Sequence, residues 1–270
     1  MIKQLIRWLQ DRIPHPARVY ETEEFVANLE QSPEDPRDQN YAVLESGFDL
    51  PTEYSLKSLC GPVRNQGSIG SCVSFTLVSA LEVLNNRDGE PNVELSDLYH
   101  YYKARQPGYM GTFPRDSGMY IRTGIKCLRQ EGVSPDVMWP YDEGKYNERP
   151  DIFSRSFARF FRVSSYHRCF SPTGIKEAVT MQMPVSLGVR AYTGMYYPDT
   201  LGNITDTGRY IGGHAMLVVG YDDSHRNPDG SFGAFELKNS WGTRWGASGY
   251  GWISYNQVSK QLIEAWALER

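Results

Sequence analysis

Four side chains, far apart in the 270-residue chain, are of the types that thiol acyl transfer requires. Cys72 follows the loop Gly67-Ser68-Ile69-Gly70-Ser71 and opens an apolar set at helical spacing, Val73, Phe75, Leu77, Val78, Leu81 and Leu84. A thiol at a helix start faces unsatisfied N–H groups and the positive end of the helix dipole, and both favour a thiolate. Gln66 stands six residues earlier, at the entrance of the same loop. His214 opens a β-rich run behind Gly212-Gly213, which leave space around its ring, and Asn239 precedes Ser240-Trp241-Gly242 at the end of another alternating run. Each has a plain reading by itself: a buried small Cys, a solvated Gln, a structural His and a turn Asn. In the order Gln, Cys, His, Asn they supply an oxyanion donor, a nucleophile, a base and a group that orients the base.

The elements that must position them divide the chain. The spacing of apolar residues predicts helices over 72–86, 95–105, 118–131 and 173–182, with Ser96, Gly132 and Pro172-Thr173 as start or stop signals. After Pro184 the texture is that of strands, at 185–189, 214–221, 235–239 and 250–255, separated by turns such as Asn227-Pro228-Asp229-Gly230. Helices first and strands second predict an α+β protein of two lobes with a substrate cleft between them. Ahead of this body, Ile2, Leu5, Ile6, Leu9 and Ile13 follow helical spacing, so the N-terminus reads as an amphipathic helix docked on the body, or as a pro-segment or partner-binding helix. A polar, proline-interrupted stretch at 31–40 separates it from the rest.

Composition narrows the function. Hydrophobic residues at 40% with 13% aromatics are enough for a real core, which rules out global disorder. A net charge of −4 removes the usual electrostatic motive for binding nucleic acid or an anionic membrane. No run approaches a membrane span, and the charged N-terminus does not read as a secretory signal, so a cytoplasmic protein is expected, with leader-independent export as the alternative. Four scattered cysteines, Cys60, Cys72, Cys127 and Cys169, are too few for a disulfide framework and lack a zinc-type spacing.

Gln66-Gly67-Ser68-Ile69-Gly70-Ser71-Cys72 resembles the Q-G-x-x-G-S-C segment of papain-like cysteine peptidases. Gly213-His214-Ala215 is similar to their histidine segment, and Asn239-Ser240-Trp241-Gly242-Thr243, continuing to Trp245-Gly246, to their asparagine segment. Leu50-Pro51 resembles the mature start and Gly249-Tyr250-Gly251 the strand after the asparagine motif, so the likeness covers about residues 48–256. It implies a helical N-terminal lobe, an antiparallel β-barrel-like C-terminal lobe, a peptidase domain at 48–270 and an N-terminal extension at 1–47 that docks on it or acts as a pro-segment. It implies hydrolysis of peptide bonds in protein or peptide substrates through a thioester acyl-enzyme, with no metal or organic cofactor. Cys72 is the implied nucleophile, His214 its partner and later general acid, and Asn239 the ring-orienting residue. Gln66 and the Cys72 N–H are the implied oxyanion donors, and Trp241 the shield of the Asn–His bond and border of the leaving-group side, beside Gly213. Ser117, Gly118 and Met119 are expected to line the non-primed side, with Met119 near an apolar second pocket.

Departures from the pattern are informative too. Secretory members usually carry Cys at the position of Ile69, bridged to a G-C-x-G-G segment that corresponds here to Arg115-Asp116-Ser117-Gly118-Met119. Both partners are missing together, as befits a reducing compartment. Val73 replaces the usual aromatic after the nucleophile, and Leu95 to Arg105 resembles a helix of disulfide-poor microbial members; the first 47 residues lack the long pro-region pattern of cathepsins. Two other readings keep the same residues: an amidase or transglutaminase-like acyltransferase, and a silent peptide-binding relative. His15, His100, His167 and His225 have no motif partner and read as structural, and Cys127 reads as core. A Cys60–Cys169 bridge is left open, and Asp222-Asp223 with Asp229 reads as a turn ahead of a calcium site.

Overall fold

The computed structural model of the chain describes residues 2–12, 26–36, 38 and 49–270. The boundary expected between 47 and 48, as well as Ile13, His15 and part of the 31–40 stretch, lies outside the described residues. The elements are α1 (Ile2–Gln10), β1 (Glu53–Ser55), α2 (Cys72–Arg87), α3 (Asp97–Ala104), α4 (Ile121–Gln130), α5 (Ile152–Ala158), β2 (Ser165–Cys169), α6 (Pro172–Thr180), β3 (Val185–Tyr192), β4 (Tyr210–Arg226), β5 (Phe232–Lys238), β6 (Tyr250–Ser254), α7 (Tyr255–Gln261) and β7 (Leu262–Glu269). The segregation of helices and strands is that of an α+β fold.

The strands form one antiparallel sheet in the order β2-β7-β3-β4-β5-β6. β4 is its long spine: β3 pairs with its first half, ending at Val185 opposite Val218, and β1 takes up the same edge from Ser55 opposite Gly220. α2 packs against β4 and against α3 and α4, and it is buried from Cys72 to Asn85. That explains its apolar residues on every side: it is the central helix of its lobe and not a surface one.

Four helix starts follow ordinary capping rules, whereas α4, preceded by Tyr120, and α2 have no side-chain cap. Ser96, Asp151, Ser171 and Ser254 each accept a backbone N–H from the first turn of the helix they precede. Ser71 stands at the same position before α2 and makes no cap bond; its hydroxyl is paired with the Tyr141 hydroxyl at 3.0 Å. The N–H groups at the start of α2 are thus left to whatever lies in the cleft.

α1 docks on the body through only part of the apolar stripe read from its sequence. Ile6 is buried, while Ile2 and Leu5 stay exposed. Polar contacts do the rest: Lys3 to Glu90 at 3.0 Å, Arg7 to the Asn92 carbonyl, and the Glu94 N–H to the Gln10 side-chain oxygen at 2.9 Å. All four cysteines are free, so the Cys60–Cys169 bridge left open by the sequence is not formed. The acidic trio closes on protein groups, but Asp222 and Asp223 lie within β4, which runs on past them, and only Asp229 is in a turn: Asp223 takes Lys176 at 2.7 Å, while Asp222 and Asp229 accept from Ser224 and Ser231. His100 is structural, held between Ser74 and the Gly124 carbonyl at 3.0 Å each.

One buried ion cluster sets the entrance to the catalytic loop. The Arg64 guanidinium donates to both Glu82 oxygens at 2.9 and 3.0 Å, to the Leu95 carbonyl at 3.0 Å, and lies 3.2 Å from Asp97. It thereby ties the segment entering the loop to α2 and α3. Removing one partner of such a cluster leaves uncompensated charge in the interior, which costs about 3–5 kcal/mol. Arg64→Ala should lower unfolding free energy by about that amount in urea titration. A loss under about 1 kcal/mol, the range of a surface ion pair, would contradict the assignment.

Candidate active site

The loop 64–66 runs antiparallel to 240–242: the Gln66 N–H donates to the Ser240 carbonyl at 2.8 Å and the Gly242 N–H to the Arg64 carbonyl at 3.1 Å. This short ladder joins the start of α2 to the end of β5, and so brings Gln66 beside Asn239. The Gln66 amide is fully buried. Its oxygen accepts from the Ser240 hydroxyl at 2.6 Å, which orients its nitrogen the other way, toward the Ile69 carbonyl at 3.1 Å and the Val26 carbonyl at 3.5 Å.

Across the cleft, β4 delivers His214. Its Nε2 pairs with the Asn239 side-chain oxygen at 2.8 Å, and the same oxygen accepts the Ser240 N–H at 2.8 Å. An amide oxygen can only accept, so the ring carries its proton on Nε2 and presents Nδ1 as the basic nitrogen. Nδ1 is buried without a hydrogen-bond partner among the described residues. Trp241 stacks on the ring at 4.4 Å and 25° and is itself packed by Tyr196 and Trp245, so the His214–Asn239 bond is shut off from water.

Cys72 occupies the first turn of α2. Burial pushes its thiol up to about 11, against a smaller opposing pull from the backbone N–H groups of Ala215, Val73 and Cys72 itself. The Ala215 N–H belongs to the peptide that follows His214, so the sulfur lies against the histidine segment. Burial also drives His214 down to about 4, with the Asn239 bond pulling weakly the other way. The sequence-predicted Gln66, Cys72, His214, Asn239 and Trp241 are therefore one cluster, drawn from two lobes.

A sequence model of the papain family cysteine proteases matches residues 47–268, most of the chain. The chain belongs to the papain family. It is a cysteine peptidase, a hydrolase, by that membership. It is 27% identical over 248 residues to an uncharacterized peptidase C1-like protein of Acanthamoeba polyphaga mimivirus, covering 84% of this chain and 75% of that protein. Peptidase 1 of Dermatophagoides farinae is 29% identical over 227 residues, 81% of this chain, and the match spans 64% of that protein's length. Among solved structures, xylellain, a cysteine protease from Xylella fastidiosa, superposes with a TM-score of 0.80 at 27% identity, covering 93% of this chain and 98% of that one.

The cleft of this papain-family chain is filled by its own N-terminal segment. Val26 reaches the Gln66 amide. The Asn28 carbonyl lies where a Cβ on Gly118 (φ +69°) would come within 2.6 Å of it. The Leu29 N–H donates to the Gly213 carbonyl at 2.8 Å, and a Cβ on Gly213 would fall 2.2 Å from the Leu29 carbonyl oxygen. Glycine at both positions lets two backbones touch. The Leu29 side chain is 4% exposed and packs over Gly188 beside Ile121. Beyond it, Ser32 donates to Glu264 at 2.9 Å, Arg122 holds Asp38 at 2.7 Å, and Lys126 holds Asp35 at 2.9 Å.

The remaining expected substrate residues divide. Gly118 and Gly213 meet the segment, as described. The Ser117 hydroxyl instead donates to Thr112 at 2.7 Å. Met119 is buried, its sulfur turned toward Gly124 in α4, next to Leu77 and Val73, while Leu29 is the apolar side chain that the segment places over Gly188 and Ile121. Three further residues grip the loop without having been singled out from the sequence. Tyr141 donates to the Gln66 carbonyl at 2.6 Å, Glu143 accepts from the Ser68 N–H at 2.8 Å, and Asp116 accepts from the Gly70 N–H at 3.0 Å. Of these only Asp116 lay in a quoted motif, as the residue aligned with the missing Cys.

Proposed function

We propose that the chain hydrolyses peptide bonds through a thioester on Cys72. His214 Nδ1 takes the thiol proton, the sulfur adds to the scissile carbonyl, and the oxyanion is held by the Gln66 side-chain N–H and the Cys72 backbone N–H. The imidazolium then gives its proton to the leaving amine, the C–N bond breaks, and water, deprotonated by the same ring, releases the acid and the free thiol. Asn239 keeps Nε2 occupied, so that Nδ1 faces the sulfur throughout, and Trp241 keeps water from competing for that bond. No step calls on a metal or an organic cofactor.

The observation that carries this reading is that a peptide already lies across these residues. The Leu29 N–H sits on the Gly213 carbonyl and the Val26 carbonyl on the Gln66 amide, the donor assigned to the oxyanion. A cleft that grips main chain from both walls is suited to extended peptide in general, which favours protein or peptide substrates over small amides. We further propose that residues 26–38 hold the peptidase shut until they are displaced. Incubation with a mixed peptide library and sequencing of the products tests the activity. New N-termini at internal bonds are expected; ammonia release from glutamine side chains without new N-termini would point to an amidase instead, and stable binding without cleavage to a silent relative.

A further inference from the structure

The loop 66–71 carries one assigned oxyanion donor and leads into the other, so whatever fixes its peptide planes fixes the oxyanion hole. One of those planes is shared by two interactions. The Ile69 carbonyl accepts the Gln66 side-chain N–H at 3.1 Å, and the N–H of the same peptide unit, that of Gly70, donates to both Asp116 oxygens at 3.0 and 3.2 Å. The carbonyl and N–H of a trans peptide point in opposite directions. Holding one therefore aims the other, and a carboxylate on the N–H polarises the carbonyl into a better acceptor.

Asp116 is itself held. The buried Tyr101 hydroxyl donates to it, and the Arg105 guanidinium lies over the Tyr101 ring at 4.2 Å. Arg105, fully buried, also donates to the Arg115 carbonyl at 2.8 Å, which fixes the backbone one residue before the carboxylate. We propose that Asp116 is a positioning residue for catalysis: through the Ile69–Gly70 peptide it holds the Gln66 amide in the orientation the oxyanion needs. This rests on the assignment of Gln66 as an oxyanion donor. It also gives the missing bridge a non-covalent counterpart, since Asp116 stands where the aligned motif has Cys and grips the residue next to Ile69.

The test is a double-mutant cycle in the full chain with a fluorogenic peptide. Asp116→Asn keeps the size of the side chain and removes its charge; Asp116→Ala removes the contact. Since loss of a whole oxyanion donor costs about 100- to 1000-fold in kcat, loosening one should cost about 10- to 100-fold for Asp116→Ala and less for Asp116→Asn, with KM changed by less than about threefold. In a Gln66→Ala background the same substitutions should lower kcat by less than about twofold, because the group they position is gone. Alkylation of Cys72 by iodoacetamide forms no oxyanion, and the Asp116 charge opposes the thiolate, so removing it should leave the rate unchanged or raise it. A kcat equal to that of the parent, a full multiplicative loss on top of Gln66→Ala, or a parallel fall in alkylation would each overturn the proposal. If Gln66→Ala by itself left kcat intact, the assignment of Gln66 would fall instead.

Discussion

Cys72→Ala should lower peptide hydrolysis by about ten-thousand-fold or more, leaving only what binding and the oxyanion donors give. A fluorogenic assay with a burst-phase measurement checks it, since the variant can form no thioester; hydrolysis within tenfold of the parent would remove Cys72 from the mechanism. The same thiol should show how the site is kept quiet. With the segment in place, burial pushes Cys72 up to about 11 and His214 down to about 4, so both are neutral near pH 7. At four units below its pKa only about one sulfur in ten thousand is a thiolate. Burial pushes Cys169 up to about 12 and raises Cys127 and Cys60 as well. In the closed chain, then, Cys72 is no more reactive than a core cysteine, and its alkylation should rise about tenfold per pH unit. Once water re-enters, the desolvation that opposes both charges is relieved, and labelling should become selective for Cys72 and nearly flat around neutrality.

How much of this was written in the sequence differs by element. The helices α2, α3, α4 and α6 announce themselves by apolar spacing and start signals, and β3 to β6 by β-rich runs between turns, with bounds off by a few residues. β7 does not, because Leu262-Ile263-Glu264-Ala265-Trp266-Ala267-Leu268 is flanked by β2 and β3 and buried over most of its length, so no alternation survives. β2 is an edge strand, mostly half-exposed, and carries too little apolar signal to stand out. The catalytic set was legible because its chemistry demands particular side chains. Tyr141, Glu143 and Asp116 were not: they act on backbone groups, which many acceptors or donors could satisfy, and only the fold decides which residue does. Met119 stands beside Gly118 in the motif and is buried, with its sulfur near Gly124. The segment that fills the cleft has no periodicity to read, since it is held by main-chain contacts, one buried leucine and separate polar side chains.

That leucine is the place to open the enzyme. Leu29→Asp should raise activity toward a small fluorogenic peptide by about 10- to 100-fold, and raise Cys72 alkylation with it. The side chain is 4% exposed over Gly188 and Ile121, a burial worth about 2 kcal/mol for a leucine. A carboxylate there loses that gain and adds the cost of desolvating a charge, so closure weakens by more than the 1.4 kcal/mol that makes each tenfold change in the open population. The polar clasp farther along, Asp38 with Arg122 and Asp35 with Lys126, cannot compensate, because Leu29 is the segment's apolar anchor in the cleft. Acid should act in the same direction. His214 is lowered from 6.5 to about 4 by burial, so between those values an open or unfolded chain takes up a proton that the closed one refuses. Closure is thus fully favoured above about pH 6.5 and loses free energy as pH falls toward 4, by a few kcal/mol at the end of that window. Alkylation of the intact chain at pH 7 and after brief exposure to pH 4.5 separates the two states. If neither Leu29→Asp nor acid increased labelling or turnover, the segment would be a passive part of the fold, and the peptidase would have to be controlled elsewhere.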